Sequence, residues 1–332
     1  MIRLSVNEIE NELKIISKRN GFNESKSSLL AAVFAENNLL GKESHGLNRF
    51  PSFIKSVKDG NVKVEAEPEL ISSFNALEQW DGNLGAGHLN AVFCTDRAII
   101  LADKFGIGCV TLRNTNHWMR GGTYGWNAAG KGYVFICWTN AIPTMPAWGS
   151  SEPKLGNNPL VIAVPHEPDP IVLDMALSQY SYGVLEVMAR RGKELKYYGG
   201  FNNEGELTKN PEEILNSRRA LPIGLWKGSG LSLILDIIAA SMSAGKSSGQ
   251  IGKQDSEFGV SQIFIALKPP YEGKNDYLEK MVNDIVDDFH SSLKISEEKI
   301  LYPGEQSFMN KQEHLKNGIP VDKELWERIQ NL

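Results

Sequence analysis

Two short stretches of this chain carry side chains suited to moving a proton beside a bound anion. In Glu43-Ser44-His45-Gly46-Leu47-Asn48-Arg49-Phe50, His45 stands next to a hydroxyl, before a turn glycine and four residues ahead of a guanidinium. An imidazole gives or takes a proton near neutral pH. A guanidinium fork fits a carboxylate bidentately. The pair suits an anionic acid with a reacting carbonyl or hydroxyl nearby. In the second stretch, Asn116-His117-Trp118-Met119-Arg120-Gly121-Gly122, polar side chains end a strand-like run and paired glycines open a helix. Glycines let backbone approach a ligand closely, and a helix start offers free N–H groups. Taken singly, each stretch also reads as an ordinary corner whose histidine packs.

The elements that must position these residues follow from periodicity. Ser5-Val6-Asn7-Glu8 reads as a helix cap with an acidic first turn, leading to Ile9, Leu13 and Ile16 at helical spacing. Helices are expected over Ser25–Leu40 and Arg49–Lys58, and over His88–Phe105 with Ala91, Val92, Ala98, Ile99 and Ala102 buried. Strands are expected at Leu70–Phe74, Ile107–Leu112, Val134–Thr139, Leu160–Val164, Ile171–Met175 and Gln262–Leu267. The turn cluster Pro165–Pro170 makes an antiparallel hairpin of two of them. Trp226–Ala244 is so apolar that it must pack in the core or against a second subunit. Tyr197–Leu221 and Ala244–Phe258 read as irregular. The tail from Tyr271 returns to helices at Asp276–His290 and Asp322–Leu332. Trp118, Trp126, Trp138 and Trp148 read as core residues or pocket lining.

Composition narrows the classes. The 332 residues are 41% hydrophobic and 23% charged, an ordinary globular balance with room for a sizeable core. A net charge of −5 argues against nucleic-acid and membrane-surface roles, which need a basic face. No apolar run approaches the ~18 residues of a membrane span, and the first residues lack a signal-peptide core. Cys94, Cys109 and Cys137 are scattered in apolar surroundings, as free thiols in a reducing cytoplasm would be. Neither CxxC nor HExxH occurs, so no metal is expected. Gly82-Asn83-Leu84-Gly85-Ala86-Gly87 does not have the spacing of a dinucleotide fingerprint, which argues against a Rossmann domain.

Both stretches, together with Cys137-Trp138-Thr139-Asn140, Gly156-Asn157-Asn158-Pro159-Leu160 and Trp226-Lys227-Gly228-Ser229-Gly230, resemble the malate/L-lactate dehydrogenase family that lacks a Rossmann fold. The likeness spans nearly the whole chain. Trp118-Met119-Arg120, Ile223–Lys227 and Asp255–Gln262 resemble a branch acting on a sugar-derived 2-keto acid. The resemblance implies a mixed α/β, non-Rossmann fold. A helical domain is built from both chain ends (1–74 and 270–332). A central domain (75–269) holds a mixed, largely antiparallel sheet flanked by helices. It implies a homodimer with NAD(H) near the subunit interface, and His45 as the acid/base residue. Carried over by motif, the cofactor segments are Pro170, Ile171, Val172, Leu173, Asp174, Met175 and Ala176, then Trp226 and Lys227, then Gly304, Glu305 and Gln306. Gln306 stands where the family pattern has an acidic residue. With no Rossmann ribose carboxylate to read, NAD and NADP both stay open.

Reduction of a 2-keto acid builds negative charge on the carbonyl oxygen, which needs a donor and then a proton. His45 can supply both. Ser44 orients the ring or the substrate, or simply ends a helix. Arg49 holds the substrate carboxylate, or else lies on the surface of its helix. His117 and Arg120 bind substrate hydroxyls or polarise the carbonyl. Asp174 orients His45, contacts the cofactor, or caps a loop. Lys227 at a helix start suits a phosphate. Malate, lactate and ureidoglycolate dehydrogenases are sister readings. A Ser44–His45 hydrolase or lyase is disfavoured, because adjacent side chains on a turn rarely face each other and G-x-S-x-G is missing. A non-catalytic dinucleotide-binding regulator is disfavoured by the intact His45 and Arg49.

Overall fold

The computed structural model describes residues 1–270 and 276–332. The chain opens with β1 (Ile2–Leu4), α1 (Val6–Arg19), α2 (Glu24–Leu39) and α3 (Phe50–Lys58). Next come β2 (Glu69–Phe74), β3 (Leu77–Asp81), α4 (Gly87–Phe105), β4 (Ile107–Thr115), α5 (Gly122–Gly130) and β5 (Val134–Thr139). They are followed by β6 (Met145–Pro146), β7 (Pro153–Leu155), β8 (Leu160–Val164), β9 (Ile171–Met175) and α6 (Tyr182–Arg190). After β10 (Gly200–Phe201), β11 (Leu207–Thr208) and α7 (Pro211–Ser217) stand α8 (Trp226–Ser243), α9 (Ser248–Ile251) and β12 (Val260–Leu267). The chain closes with α10 (Asp276–His290), α11 (Glu305–Asn317), β13 (Ile319–Val321) and α12 (Lys323–Gln330).

The central sheet has seven strands in the order β2-β3-β4-β12-β5-β8-β9. Every neighbouring pair is antiparallel except β3 and β4, which α4 connects in parallel. The expected hairpin is present, with Leu160 opposite Met175 and Val164 opposite Ile171. Alternation along β12 sorts the two faces, as the two-residue strand period requires. Phe264 and Ala266 pack under α4 and α5 with Phe135, Val161 and Val172. Ile263 faces the other way, toward Trp138 and toward Leu235 and Ala239 of α8. A separate core joins α1, α2, α3 and α12, where Ile9, Leu13 and Ile16 are fully buried and β1 pairs with β13. The Ser5–Glu8 capping box starts α1 as expected. This mixed, largely antiparallel sheet without a Rossmann arrangement is the architecture expected from the sequence.

Several expectations need correction. Strand β2 pairs with β3 in the central sheet, so residues 69–74 leave the helical portion in which the boundary at 74 had placed them. Strand β3 was not expected; its apolar residues are too few to mark a strand until β4 lies beside it. The supposedly irregular 197–221 and 244–258 hold α7 and α9, and α11 was missed because it is almost wholly polar. Val92 is only half-buried, and Trp148 is 49% exposed rather than core. The start of the tail expected from Tyr271 lies outside the described residues. Helix α8 is not enclosed within the chain: Leu233, Ile234 and Ile237 are 47%, 51% and 52% exposed. Its inner side covers the sheet and the opposite apolar side is left in solvent.

Candidate active site

A cleft of about 940 Å³ runs between the helical portion and the sheet, and His45, Arg49, His117, Arg120 and Asp174 all line it. His45 sits on a single 3-10 turn, Glu43–His45, just past α2. Two buried asparagines at the end of α2 hold that turn. The Asn37 side-chain amide donates to the His45 carbonyl (3.0 Å), and Asn38 Oδ1 accepts the Leu47 N–H (2.6 Å). Gly46 allows this approach, because a Cβ there would collide with Asn38 Oδ1. Sequence reasoning missed both asparagines. A consecutive Asn pair closing an otherwise apolar helix was the available signal, since buried amides need partners.

The second loop leaves β4 with Asn116 anchored to the carbonyls of Asn61, Leu84 and Gly85 at 3.0, 2.8 and 3.0 Å. Met119 adopts a left-handed backbone (φ 64°), which turns its N–H onto His117 Nδ1 at 3.0 Å. An Nδ1 that accepts fixes the neutral ring with its hydrogen on Nε2, as a donor. The His45 and His117 rings lie nearly parallel, 6.2 Å apart at their centroids. Loss of hydration lowers the His45 pKa to about 3, helped by His117, Arg49 and Arg120 against the pull of Asp174. Loss of hydration, then Arg49, lowers His117 to about 3 as well. Both imidazoles are therefore neutral at pH 7 in the free protein.

Ser44 Oγ lies 2.9 Å from His45 Nδ1, so the two neighbours do face each other, contrary to the expectation for adjacent turn residues. The hydroxyl both donates and accepts, so it serves either ring tautomer. Such a contact is also what a serine nucleophile and its base make, but among the described residues no third group hydrogen-bonds the other ring nitrogen, His45 Nε2, as a catalytic triad requires. Arg49 is not a bland surface arginine: it lines the cleft and makes a loose ion pair with Glu186 of α6 (3.8 Å).

Arg120 is buried, stacks over Trp126 (4.6 Å) and pairs with Asp174 (3.3 Å). Asp174 also accepts the Gly122 N–H at 3.0 Å, and a Cβ on Gly122 would stand 2.7 Å from that carboxylate. Asp174 thus fixes Arg120 and the start of α5; no hydrogen bond joins it to His45, the orienting role offered for it. The ion pair runs through Nε, whereas Arg120 Nη1 has no hydrogen-bond partner, and a buried guanidinium nitrogen left unsatisfied is poised for a ligand acceptor.

The expected cofactor segments divide. Val172, Leu173, Asp174, Met175 and Ala176 line the cleft, as does Gly304, brought there by the Val172 N–H bond to the Pro303 carbonyl (3.0 Å). Pro170 and Ile171 do not line it. Glu305 is committed to His290 (2.9 Å) and the Tyr302 N–H (3.0 Å), and Gln306 to Asn310 (2.9 Å). Trp226, 64% exposed, and Lys227 lie outside the cleft of this chain. A nicotinamide dinucleotide fits the residues present: the unpartnered Arg120 Nη1 and a wall of strand and turn backbone line one cavity. Among the described residues no group of three or more His, Cys, Asp or Glu side chains is placed to hold a metal ion.

A sheet of this topology with two parallel imidazoles, two arginines and a dinucleotide-sized cleft suits an oxidoreductase that does not use a Rossmann domain. The family model described as malate/L-lactate dehydrogenase matches residues 4–330, and the chain belongs to that family. It is 42% identical to 2,3-diketo-L-gulonate reductase of Pasteurella multocida over the whole of both chains. It is 45% identical to the reductase of the same name from Escherichia coli, with 94% of each chain covered. Malate dehydrogenase from Entamoeba histolytica superposes with a TM-score of 0.94 at 26% identity, covering 99% of this chain and 96% of that one.

Proposed function

We propose that the protein uses NADH to reduce the C2 carbonyl of a sugar-derived 2-keto acid, 2,3-diketo-L-gulonate to 3-dehydro-L-gulonate. The observation that carries this reading is one cleft lined together by two neutral, parallel imidazoles, the Arg49 guanidinium and the Val172–Ala176 segment. The substrate itself is argued from the full-length likeness to the two reductases. When bound along that wall, the nicotinamide supplies the hydride. Arg49 holds the C1 carboxylate and so fixes C2 between the rings. His117 Nε2–H donates to the C2 oxygen as charge develops there. His45 delivers the proton to that oxygen, with Ser44 holding its ring. Loss of hydration is what chiefly keeps His45 neutral; the incoming carboxylate offsets the Arg49 and Arg120 fields that add to it, which favours proton uptake as substrate binds. In the oxidative direction the neutral ring removes the hydroxyl proton. Arg120, with Nη1 unpartnered, binds the cofactor or a substrate hydroxyl.

Nicotinamide absorbance with a panel of keto acids tests this. 2,3-Diketo-L-gulonate should give a kcat/KM above those for oxaloacetate and pyruvate, with NADH above NADPH. Preference for oxaloacetate would favour the malate reading that the Entamoeba structure suggests.

We also infer a cytoplasmic homodimer. Its support is the exposed apolar side of α8 together with edge strand β2, where Leu70, Ile71 and Phe74 are in solvent. An apolar sheet edge left bare invites pairing, and covering it removes the hazard. Such a dimer is the setting in which Trp226 and Lys227 meet the cofactor. Light scattering should give twice the 36.8 kDa chain mass; a fully active monomer would contradict it.

A further inference from the structure

Part of the cleft lining is not accounted for by the reaction. Besides the residues assigned to hydride and proton transfer, α3, Asn61 and the loop before β12 line the same cavity, with Ser256 and Glu257 on that loop. These two side chains are anchored yet incompletely used. Ser256 Oγ accepts from the Asn61 amide (3.2 Å), which leaves its own hydrogen to donate. Glu257 Oε2 accepts the Ile142 N–H (2.8 Å), and its other oxygen has no hydrogen bond among the described residues. One free donor and one free acceptor on neighbouring residues match two neighbouring hydroxyl groups.

We propose that Ser256 and Glu257 form a subsite for a vicinal diol, and that they select 2-keto acids with a polyhydroxylated tail. The inference rests on the functional reading above: with C1 on Arg49 and C2 between the imidazoles, the remaining carbons must extend into the cavity. The polar part of the lining, with Asn61, Ser256 and Glu257, is where hydroxyls find partners. The Arg49 charge acts on the Glu257 carboxyl as well as on the substrate carboxylate, which limits repulsion between the two acids. Loss of hydration also raises the Glu257 pKa, so the protonated form that donates to a hydroxyl is more accessible than on a surface glutamate. A malate or lactate has no hydroxyls to place there, and a site built to hydrogen-bond hydroxyls discriminates strongly against substrates that lack them.

The test compares Glu257→Gln, Glu257→Leu and Ser256→Ala with the wild-type enzyme on two substrates, 2,3-diketo-L-gulonate and pyruvate. Equilibrium binding of L-gulonate and of L-lactate is measured by calorimetry beside the kinetics. Glu257→Leu should lower kcat/KM for the diketo acid and affinity for L-gulonate by about ten- to a hundredfold. Values for pyruvate and L-lactate should stay within about threefold. Glu257→Gln keeps an acceptor for the Ile142 N–H, so a smaller loss confined to the polyol ligands is expected. Equal losses on tailed and tailless ligands would show a merely structural role and overturn the proposal, as would no loss on either. A wild-type enzyme that reduces neither keto acid would instead overturn the functional reading, and L-gulonate binding would then decide the subsite separately. Retained, Glu257-dependent affinity would keep the diol site, and affinity insensitive to Glu257 would remove it.

Discussion

His45→Asn is expected to lower kcat for keto-acid reduction by about 10²- to 10⁴-fold, the usual contribution of a positioned acid or base. NADH affinity should change little. The clamp on this turn runs through the His45 carbonyl and the Leu47 N–H, so the substitution leaves the backbone bonds intact. The pH dependence gives a second readout. The free-protein pKa of about 3 leaves His45 largely neutral across the neutral range. Because kcat/KM reports the free enzyme, its value for reduction should fall about tenfold per unit between about pH 5 and pH 8. The oxidative direction needs the neutral ring and should show no such limb. The variant should lose the slope along with the rate. The sign for stability is opposite to that of a salt-bridged histidine: His45 folds neutral, so its contribution is present above 6.5 and is lost as pH falls toward 3. Buried His88 adds to the same acid weakness, its pKa likewise lowered to about 3. Turnover of His45→Asn within a few-fold of wild type would remove this residue from the mechanism.

Arg49→Lys is expected to cost about a hundredfold in kcat/KM, because a point charge replaces a fork and the carbonyl is then held loosely against the hydride donor. Most of the loss should fall on apparent KM for carboxylate substrates. A carboxylate-free ketone should be affected far less. Glu186→Gln supplies the opposite case. The 3.8 Å pair with Arg49 competes with an arriving carboxylate, and a pair this exposed is worth at most about 1 kcal/mol. Its removal should therefore lower KM by no more than about fivefold. If Arg49→Lys harmed the carboxylate-free ketone equally, carboxylate binding would not be its role.

The sequence announces what is local and periodic. The strand pair at Leu160–Val164 and Ile171–Met175 coincides with β8 and β9 to the residue, because short, largely apolar runs with Val and Ile flank a turn cluster. Both histidine stretches were visible as motifs, and the structure brings His45, Arg49, His117, Arg120 and Asp174 to one cleft. Features that depend on partners distant in the chain were not legible. Asn37 and Asn38 matter only because the His45 turn folds back on them. Asp174 answers to Arg120 and Gly122, contacts set by the placement of β9 beside α5. Helix α8 is apolar on nearly every side, a pattern that tells of burial without telling by what. Glu257, in a polar irregular stretch, acquires a cleft to face only once β12 is threaded between β4 and β5.

The most direct test of the account follows the hydride. The enzyme is incubated with 2,3-diketo-L-gulonate and NADH deuterated at the reactive C4 position, and the product is read by NMR. One NADH should be consumed per molecule of keto acid, with deuterium on C2 beside the carboxylate, where Arg49 and the two imidazoles hold the carbonyl. Deuterium on C3, or no NADH consumption with this acid, would contradict the account.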